Sequence, residues 1–119
     1  MVEEKVAFLE GAGAALSAGS GMGAIAAALW TALKAGDHVV AADTLYGDTF
    51  DLLAHGMTRY GVQVDFVDMT DLEQVRAAMK DNTRVVYVET PVNPTLKITD
   101  IEGVSAIAHG QPGRLVMAT

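Results

Sequence analysis

The stretch RVVYVETPVNP, residues 84–94, joins a run of β-branched and aromatic residues to a polar turn. Residues 84–88 have the composition of a strand that is buried on both faces. Glu89 and Asn93 follow at the carboxyl end of this predicted strand. Ligands of open α/β sheets bind outside the carboxyl ends of the strands. The stretch therefore predicts a central strand and a polar site directly after it.

Hydrophobic runs and helix signals alternate along the rest of the chain. They predict strands at residues 14–18, 38–41, 62–67 and 84–88, and helices at residues 2–10, 24–34, 47–60, 70–79 and 99–108. Thr70 is the predicted N-cap of the fourth helix, because Glu73 completes a capping box. Alternating strands and helices without hairpin signals predict an α/β fold, a mostly parallel sheet with helices on both faces.

Composition limits the class of protein. The chain has 119 residues, of which 50% are hydrophobic, so it is one domain or a piece of one. Its net charge of −7 argues against a nucleic-acid partner or an anionic membrane surface. The longest apolar run, residues 21–33, is shorter than the roughly 18 residues that span a bilayer. The absence of cysteine excludes disulfides and thiolate metal sites and fits a cytoplasmic location.

A glycine-rich turn, Gly19-Ser20-Gly21-Met22-Gly23, precedes the second predicted helix. Unpaired N–H groups at a helix N-terminus favour an anion, and glycine lets a phosphate approach the backbone closely. The alternative is a plain turn with Ser20 as the N-cap. The spacing matches neither the P-loop nor the dinucleotide-binding fingerprint. The turn alone leaves both interpretations open.

Polar and aromatic residues follow two other predicted strands. Tyr46 follows the strand at 38–41 and could stack on a flat ligand, or pack at the sheet edge. Glu89 and Asn93 could orient polar groups of a ligand, or serve as a cap or ion-pair residue and a turn former. The three histidines, at positions 38, 55 and 109, have no partner at ligand spacing. We predict surface or helix-end positions for them and no metal site.

Three motifs in order carry a family resemblance. Ser20-Gly21-Met22, Thr44-Leu45-Tyr46-Gly47 and residues 89–95, ETPVNPT, resemble the Cys/Met-metabolism (transsulfuration) family of enzymes that depend on pyridoxal 5′-phosphate. The residues between the motifs are most similar to the methionine γ-lyase branch. The resemblance implies the fold-type I, aspartate aminotransferase-like fold. Residues 1–109 would then be part of the large cofactor-binding domain, and residues 110–119 a divergent C-terminal tail.

The resemblance also implies roles for the candidate site residues. Backbone N–H groups of Gly21 and Met22, beside Ser20, would hold the cofactor phosphate. Tyr46 would stack on the pyridine ring and act as the catalytic residue that assists the leaving group. Asn93 would hydrogen-bond the phenolic oxygen of the ring, and Glu89 would support its surroundings. The family acts on sulfur amino acids and forms homotetramers.

The chain departs from the family pattern at three places. Asp48 stands where methionine γ-lyases usually carry a cysteine, which bears on the substrate. Residues 110–119 hold no acid that could pair with the pyridine nitrogen. The lysine that bonds the cofactor would lie beyond Thr119. We therefore expect no turnover from this chain alone.

The resemblance predicts a carbon–sulfur lyase of the methionine γ-lyase type, which eliminates a thiol and leaves a 2-oxo acid and ammonia. One alternative is a fragment of an O-acetylhomoserine sulfhydrylase or of a cystathionine synthase or lyase. Another is a non-catalytic fragment that binds intact homologues, or a fragment without function.

Overall fold

The computed structural model describes residues 1–93 and 95–119; Pro94, in the third motif, lies outside the described residues. The helices are α1 (Val2–Glu10), α2 (Gly21–Ala32), α3 (Gly47–Asp51), α4 (Leu72–Ala78) and α5 (Ile101–Ala108). The strands are β1 (His38–Ala42), β2 (Gln63–Val67), β3 (Thr83–Val88) and β4 (Leu115–Ala118). A π-helical turn, Leu52–Gly56, and a 3₁₀ turn, Met57–Tyr60, continue α3.

The four strands form one parallel sheet in the order β2-β1-β3-β4. In the register, His38 of β1 lies opposite Gln63 of β2 and Thr83 of β3. Because every strand runs in the same direction, all carboxyl ends meet at one edge of the sheet. The prediction of a parallel α/β sheet is confirmed.

Helices cover both faces of this sheet. Val39 and Ala41 of β1 face a core that includes Leu29 of α2, and Val40 and Ala42 face a second core with α4 and α5. Both central strands are buried over their lengths, apart from a half-buried Arg84. A fully buried valine or leucine contributes about 1.5–3 kcal/mol of transfer free energy, so the two cores hold the sheet together.

The predicted strand at residues 14–18 is not formed. Leu16 is 89% exposed, and the segment joins no sheet within the part of the chain that the structure describes. The segment forms hydrogen bonds to α1 instead. The N–H and the hydroxyl of Ser17 both donate to Glu3 Oε1 at 2.7 Å. A short run of small apolar residues is compatible with a buried strand, but a strand also requires a neighbour to pair with.

The predicted N-cap at Thr70 is wrong by one residue. Asp71 caps α4, and its Oδ1 accepts hydrogen bonds from the N–H groups of Glu73 (3.0 Å) and Gln74 (3.4 Å). Thr70 donates instead to Asp68 Oδ1 through its N–H and its hydroxyl. The capping-box pattern failed because Asp71 has the extended backbone of an N-cap and an equally good acceptor.

The predicted helix at residues 47–60 is continuous but not uniform. It passes from α3 through the π-helical turn to the 3₁₀ turn and ends at Gly61. Gly61 has a φ of 83°, a left-handed conformation that glycine adopts without strain. The predicted end of this helix at residue 60 is therefore confirmed.

Strand β4 was not predicted. It pairs with β3 from Val85 opposite Leu115 to Val88 opposite Ala118. Beyond it, Thr119 N–H donates to the Val88 carbonyl at 3.0 Å. The strand is four residues long and follows a Pro112-Gly113 turn, so its sequence pattern is too short for periodicity to reveal. The division of the chain into a partial domain at residues 1–109 and a C-terminal tail at residues 110–119 stays a prediction.

The predicted surface or helix-end position of His38 is wrong. His38 is fully buried at the amino end of β1. Its Nδ1 lies 2.7 Å from Thr83 Oγ1, and its Nε2 lies 3.0 Å from Asp65 Oδ2. Lys80 Nζ lies 3.0 Å from the same Asp65 oxygen. This network, which joins three neighbouring strands, accounts for the buried imidazole. His55 and His109 are exposed, as predicted.

Candidate functional site

The carboxyl ends of the two central strands are joined by a hydrogen bond. Tyr46 follows β1, and its backbone N–H donates to Glu89 Oε2, at the end of β3, across 2.9 Å. Glu89 is half-buried, whereas the Tyr46 side chain is exposed. The contact fixes the backbone of Tyr46 and leaves its ring open to a ligand.

The glycine-rich turn lies at the N-terminus of α2. Ser20 Oγ accepts a hydrogen bond from Gly23 N–H at 2.9 Å, so the predicted N-cap interpretation is correct in geometry. Gly21 and Met22 are first-turn residues, whose N–H groups have no acceptor within the helix. A Cβ at Gly21 would meet no heavy atom within 4 Å, so the backbone there is open to close approach.

Thr49 connects α2 to the loop that carries Tyr46. Its buried hydroxyl donates to Met22 Sδ across 3.5 Å. Thr49 lies three residues after Tyr46, at the start of α3. The turn at Ser20-Gly21-Met22, Tyr46 and Glu89 therefore lie at the same edge of the sheet, linked through Thr49 and through the Tyr46–Glu89 hydrogen bond.

Asn93 is less firmly attached. It is exposed in a turn after β3, where Val92 N–H donates to the Lys97 carbonyl at 3.0 Å. Within residues 1–93 and 95–119, no hydrogen bond joins the Asn93 side chain to Tyr46 or Glu89. Asn93 therefore lies after the carboxyl end of β3, without a hydrogen bond to Tyr46 or Glu89 in the part of the chain that the structure describes.

Tyr87 and Thr49 were not singled out from the sequence. Tyr87 is 1% exposed, and its hydroxyl lies 3.1 Å from Thr119 Oγ1. Burial raises the pKa of the Tyr87 phenol, and hydrogen bonding by Thr119 and Thr49 acts in the opposite direction. A tyrosine inside an otherwise aliphatic strand run is the signal that could have indicated such a partner, because a buried phenol needs one.

Two of the four lysines form ion pairs with aspartates. Lys80 pairs with Asp65 at the amino end of the sheet, and Lys97 Nζ lies 3.9 Å from Asp68 Oδ2.

Among the residues that the structure describes, no three histidine, aspartate or glutamate side chains are grouped to hold a metal ion. No helix in the described ranges is long and apolar enough to cross a membrane.

The fold and this edge define a piece of an α/β domain whose ligand would lie at a helix N-terminus and beside an open tyrosine ring. Residues 1–118 match the family described as Cys/Met metabolism PLP-dependent enzyme, and the chain belongs to that family. This family membership confirms the resemblance read from the three motifs, and with it the pyridoxal phosphate dependence of the family.

Individual proteins similar to the chain support the same family membership. The chain is 59% identical over 117 residues to an L-methionine gamma-lyase of Fusobacterium nucleatum subsp. nucleatum. This alignment covers 98% of the chain and 30% of that protein. The structure of the metB protein of Corynebacterium glutamicum matches with a TM-score of 0.94 and 41% identity over 98% of the chain and 30% of its own. The structure of the O-acetylhomoserine sulfhydrylase of Wolinella succinogenes matches with a TM-score of 0.92 and 36% identity. This match covers 98% of the chain and 33% of the sulfhydrylase chain. The chain therefore spans about a third of the length of these relatives.

Proposed function

We propose that this chain is part of the cofactor-binding domain of a pyridoxal-phosphate-dependent carbon–sulfur lyase. The complete enzyme would eliminate the sulfur group of methionine and give a thiol, a 2-oxo acid and ammonia. The observation that carries the proposal is the Tyr46–Glu89 hydrogen bond, which holds the loop after β1 at the carboxyl end of β3. The 59% identity to an L-methionine gamma-lyase supports this choice of reaction.

The chemistry of the donor set at α2 fits the phosphate group. The N–H groups of Gly21 and Met22 lie at the positive end of the helix dipole, and the open backbone at Gly21 lets an anion approach. Ser20 Oγ is occupied as an acceptor by Gly23 N–H, so its hydroxyl proton is left to donate to a phosphate oxygen. Ser20 would serve as N-cap and phosphate ligand together.

Tyr46 and Asn93 would orient the ring of the cofactor. Bound pyridoxal phosphate supplies an electron sink for the reaction. The exposed ring of Tyr46 would stack on the pyridine, and its phenolic oxygen would hold a proton near the leaving sulfur. The Asn93 amide would donate to the phenolic oxygen of the cofactor. Glu89 would act through Tyr46, because its carboxylate accepts the Tyr46 N–H.

Asp48 favours a second candidate reaction. Its exposed carboxylate lies two residues after Tyr46, where the family resemblance expects cysteine in methionine γ-lyases. An added negative charge beside Tyr46 would change substrate preference. An O-acetylhomoserine sulfhydrylase is the alternative, and the close structural match to the Wolinella succinogenes enzyme supports it.

A hybrid enzyme would distinguish the proposed methionine lyase from the alternative sulfhydrylase. This chain would replace the matching 117 residues of the Fusobacterium nucleatum enzyme. We expect the hybrid to purify with bound cofactor and to release thiol from methionine. Product from O-acetylhomoserine and sulfide, with none from methionine, would favour the sulfhydrylase. A hybrid with the circular dichroism of the parent but no bound cofactor would contradict the proposed site.

Location and assembly are part of the proposal. The absence of cysteine supports a reducing, cytoplasmic location, and the net charge of −7 supports the lack of a nucleic-acid or membrane partner. Assembly as a homotetramer is supported by α1, on which Phe8 is 84% exposed and Leu9 is 79% exposed. Apolar side chains exposed together are typical of subunit interfaces.

A further inference from the structure

A buried hydroxyl connects the elements that form the proposed cofactor site. Thr49 and Tyr87 are each 1% exposed, and they lie beneath the carboxyl edge of the sheet. Thr49 belongs to α3 and Tyr87 to β3. Neither residue is among those to which the family resemblance assigns a role.

The contacts of Thr49 run in two directions. Its hydroxyl donates to Met22 Sδ, on the first turn of α2, across 3.5 Å. On the other side, hydrogen bonding by Thr119 and Thr49 opposes the rise in the pKa of the Tyr87 phenol that burial causes. Thr119 Oγ1 lies 3.1 Å from the phenol oxygen. A buried hydroxyl without a partner costs free energy, so these contacts limit the orientations open to Thr49.

We propose that Thr49 is a positioning residue that sets the first turn of α2 relative to Tyr46. Its location explains how. Thr49 lies in the first turn of α3, three residues after Tyr46, which is the N-cap of that helix, and its hydroxyl holds the Met22 side chain. The distance between the phosphate-binding N–H groups and the stacking ring depends on this link. The inference rests on the proposed function.

The test compares Thr49→Val, which keeps the shape and removes the hydroxyl, with Thr49→Ser, which keeps the hydroxyl. Methionine ¹³C-methyl spectra are recorded without ligand, and the Met22 signal is assigned with Met22→Leu. The ligand is 4′-deoxypyridoxine 5′-phosphate, which lacks the aldehyde and so cannot react with lysines. Thr31→Val removes a hydroxyl that donates to the Ala27 carbonyl farther along α2, and it serves as the control.

We expect Thr49→Val to shift the Met22 methyl and Tyr46 amide signals and to weaken analogue binding about fivefold, as the loss of one hydrogen bond predicts. Thr49→Ser and Thr31→Val should match the wild type. Unchanged Met22 and Tyr46 signals in Thr49→Val would overturn the inference, as would equal effects of the serine and valine variants. If the wild type binds no analogue, the proposed function fails, and the ligand-free signals alone decide the positioning role.

Discussion

The backbone N–H of Tyr46 donates a 2.9 Å hydrogen bond to Glu89 Oε2, although the two residues are 43 positions apart in the chain. They follow β1 and β3, which are neighbours in the sheet. The carboxylate therefore acts on the main chain of the loop and leaves the aromatic ring free. In a parallel sheet this is the edge at which ligands bind.

Removal of the Glu89 acceptor should loosen this loop. Glu89→Ala leaves Tyr46 N–H without its partner, whereas Glu89→Gln keeps an acceptor oxygen. We expect Glu89→Ala to cost about 1 kcal/mol, or about fivefold in affinity for 4′-deoxypyridoxine 5′-phosphate. Calorimetric titration gives the affinity, and hydrogen exchange of the Tyr46 amide reports the contact. Equal exchange rates in the alanine variant and the wild type would show that the bond is not formed in solution.

Substitutions at Ser20 should separate the cap from phosphate binding. Ser20→Ala should lower the free energy of unfolding by about 1 kcal/mol, because Gly23 N–H loses its acceptor. Ser20→Asp restores the cap but places a negative charge beside the phosphate. We expect near-native stability and much weaker analogue binding from this variant, measured by urea unfolding and calorimetry.

Asp71→Ala is the matched control for the Ser20 variants. Asp71 caps α4 through Glu73 N–H, and α4 is not one of the elements that carry the proposed site residues. The variant should lose a similar free energy of unfolding and keep its affinity for the analogue. A loss of affinity as large as that of Ser20→Asp would attribute both effects to general destabilisation.

The buried His38 should make stability depend on pH. Burial lowers the pKa of His38 more strongly than its bond to Asp65 raises it, and the charges of Lys80 and Arg114 also lower it. As the pH falls, the unfolded chain, with an ordinary histidine pKa of about 6.5, therefore takes up a proton before the folded chain does. The stability contributed by neutral His38 is present above that value and is lost as the pH falls below it.

Urea unfolding between neutral and mildly acidic pH measures this effect. The pKa of Asp65 is lowered, mainly by Lys80, so its own contribution is lost only at more acidic pH. His38→Gln should flatten the stability profile, and His109→Gln, at an exposed position, should leave it unchanged. A profile with the same slope in His38→Gln and the wild type would exclude His38 as the origin.

The residue at position 48 should influence substrate choice. In the hybrid enzyme described above, Asp48→Cys restores the residue that the family resemblance expects in methionine γ-lyases. We expect a higher ratio of kcat/KM for methionine to that for O-acetylhomoserine. Asp51→Asn removes another carboxylate of α3 and should leave the ratio unchanged. A ratio unaffected by Asp48→Cys would mean that position 48 does not choose the substrate.

Local patterns were sufficient for the features that depend on short segments. The β-branched runs of β1 and β3 predicted strands buried on both faces, and the predicted parallel direction placed Tyr46 and Glu89 at the carboxyl ends of strands. Two of the features that the sequence did not reveal depend on distant partners. His38 is buried because Asp65 and Thr83, from two other strands, receive its nitrogens, and no periodicity near position 38 contains that information. The contact of Thr49 with Met22 has the same origin.

The central claim is that the carboxyl edge of this sheet binds the phosphate and ring of the cofactor. Its most direct test is a titration of the ¹⁵N-labelled chain with 4′-deoxypyridoxine 5′-phosphate, followed by amide chemical shifts. We predict saturable shifts at Gly21, Met22 and Tyr46, with His38 and Thr83 at the opposite edge unaffected. Shifts confined to that opposite edge, or none at any ligand concentration, would contradict the claim.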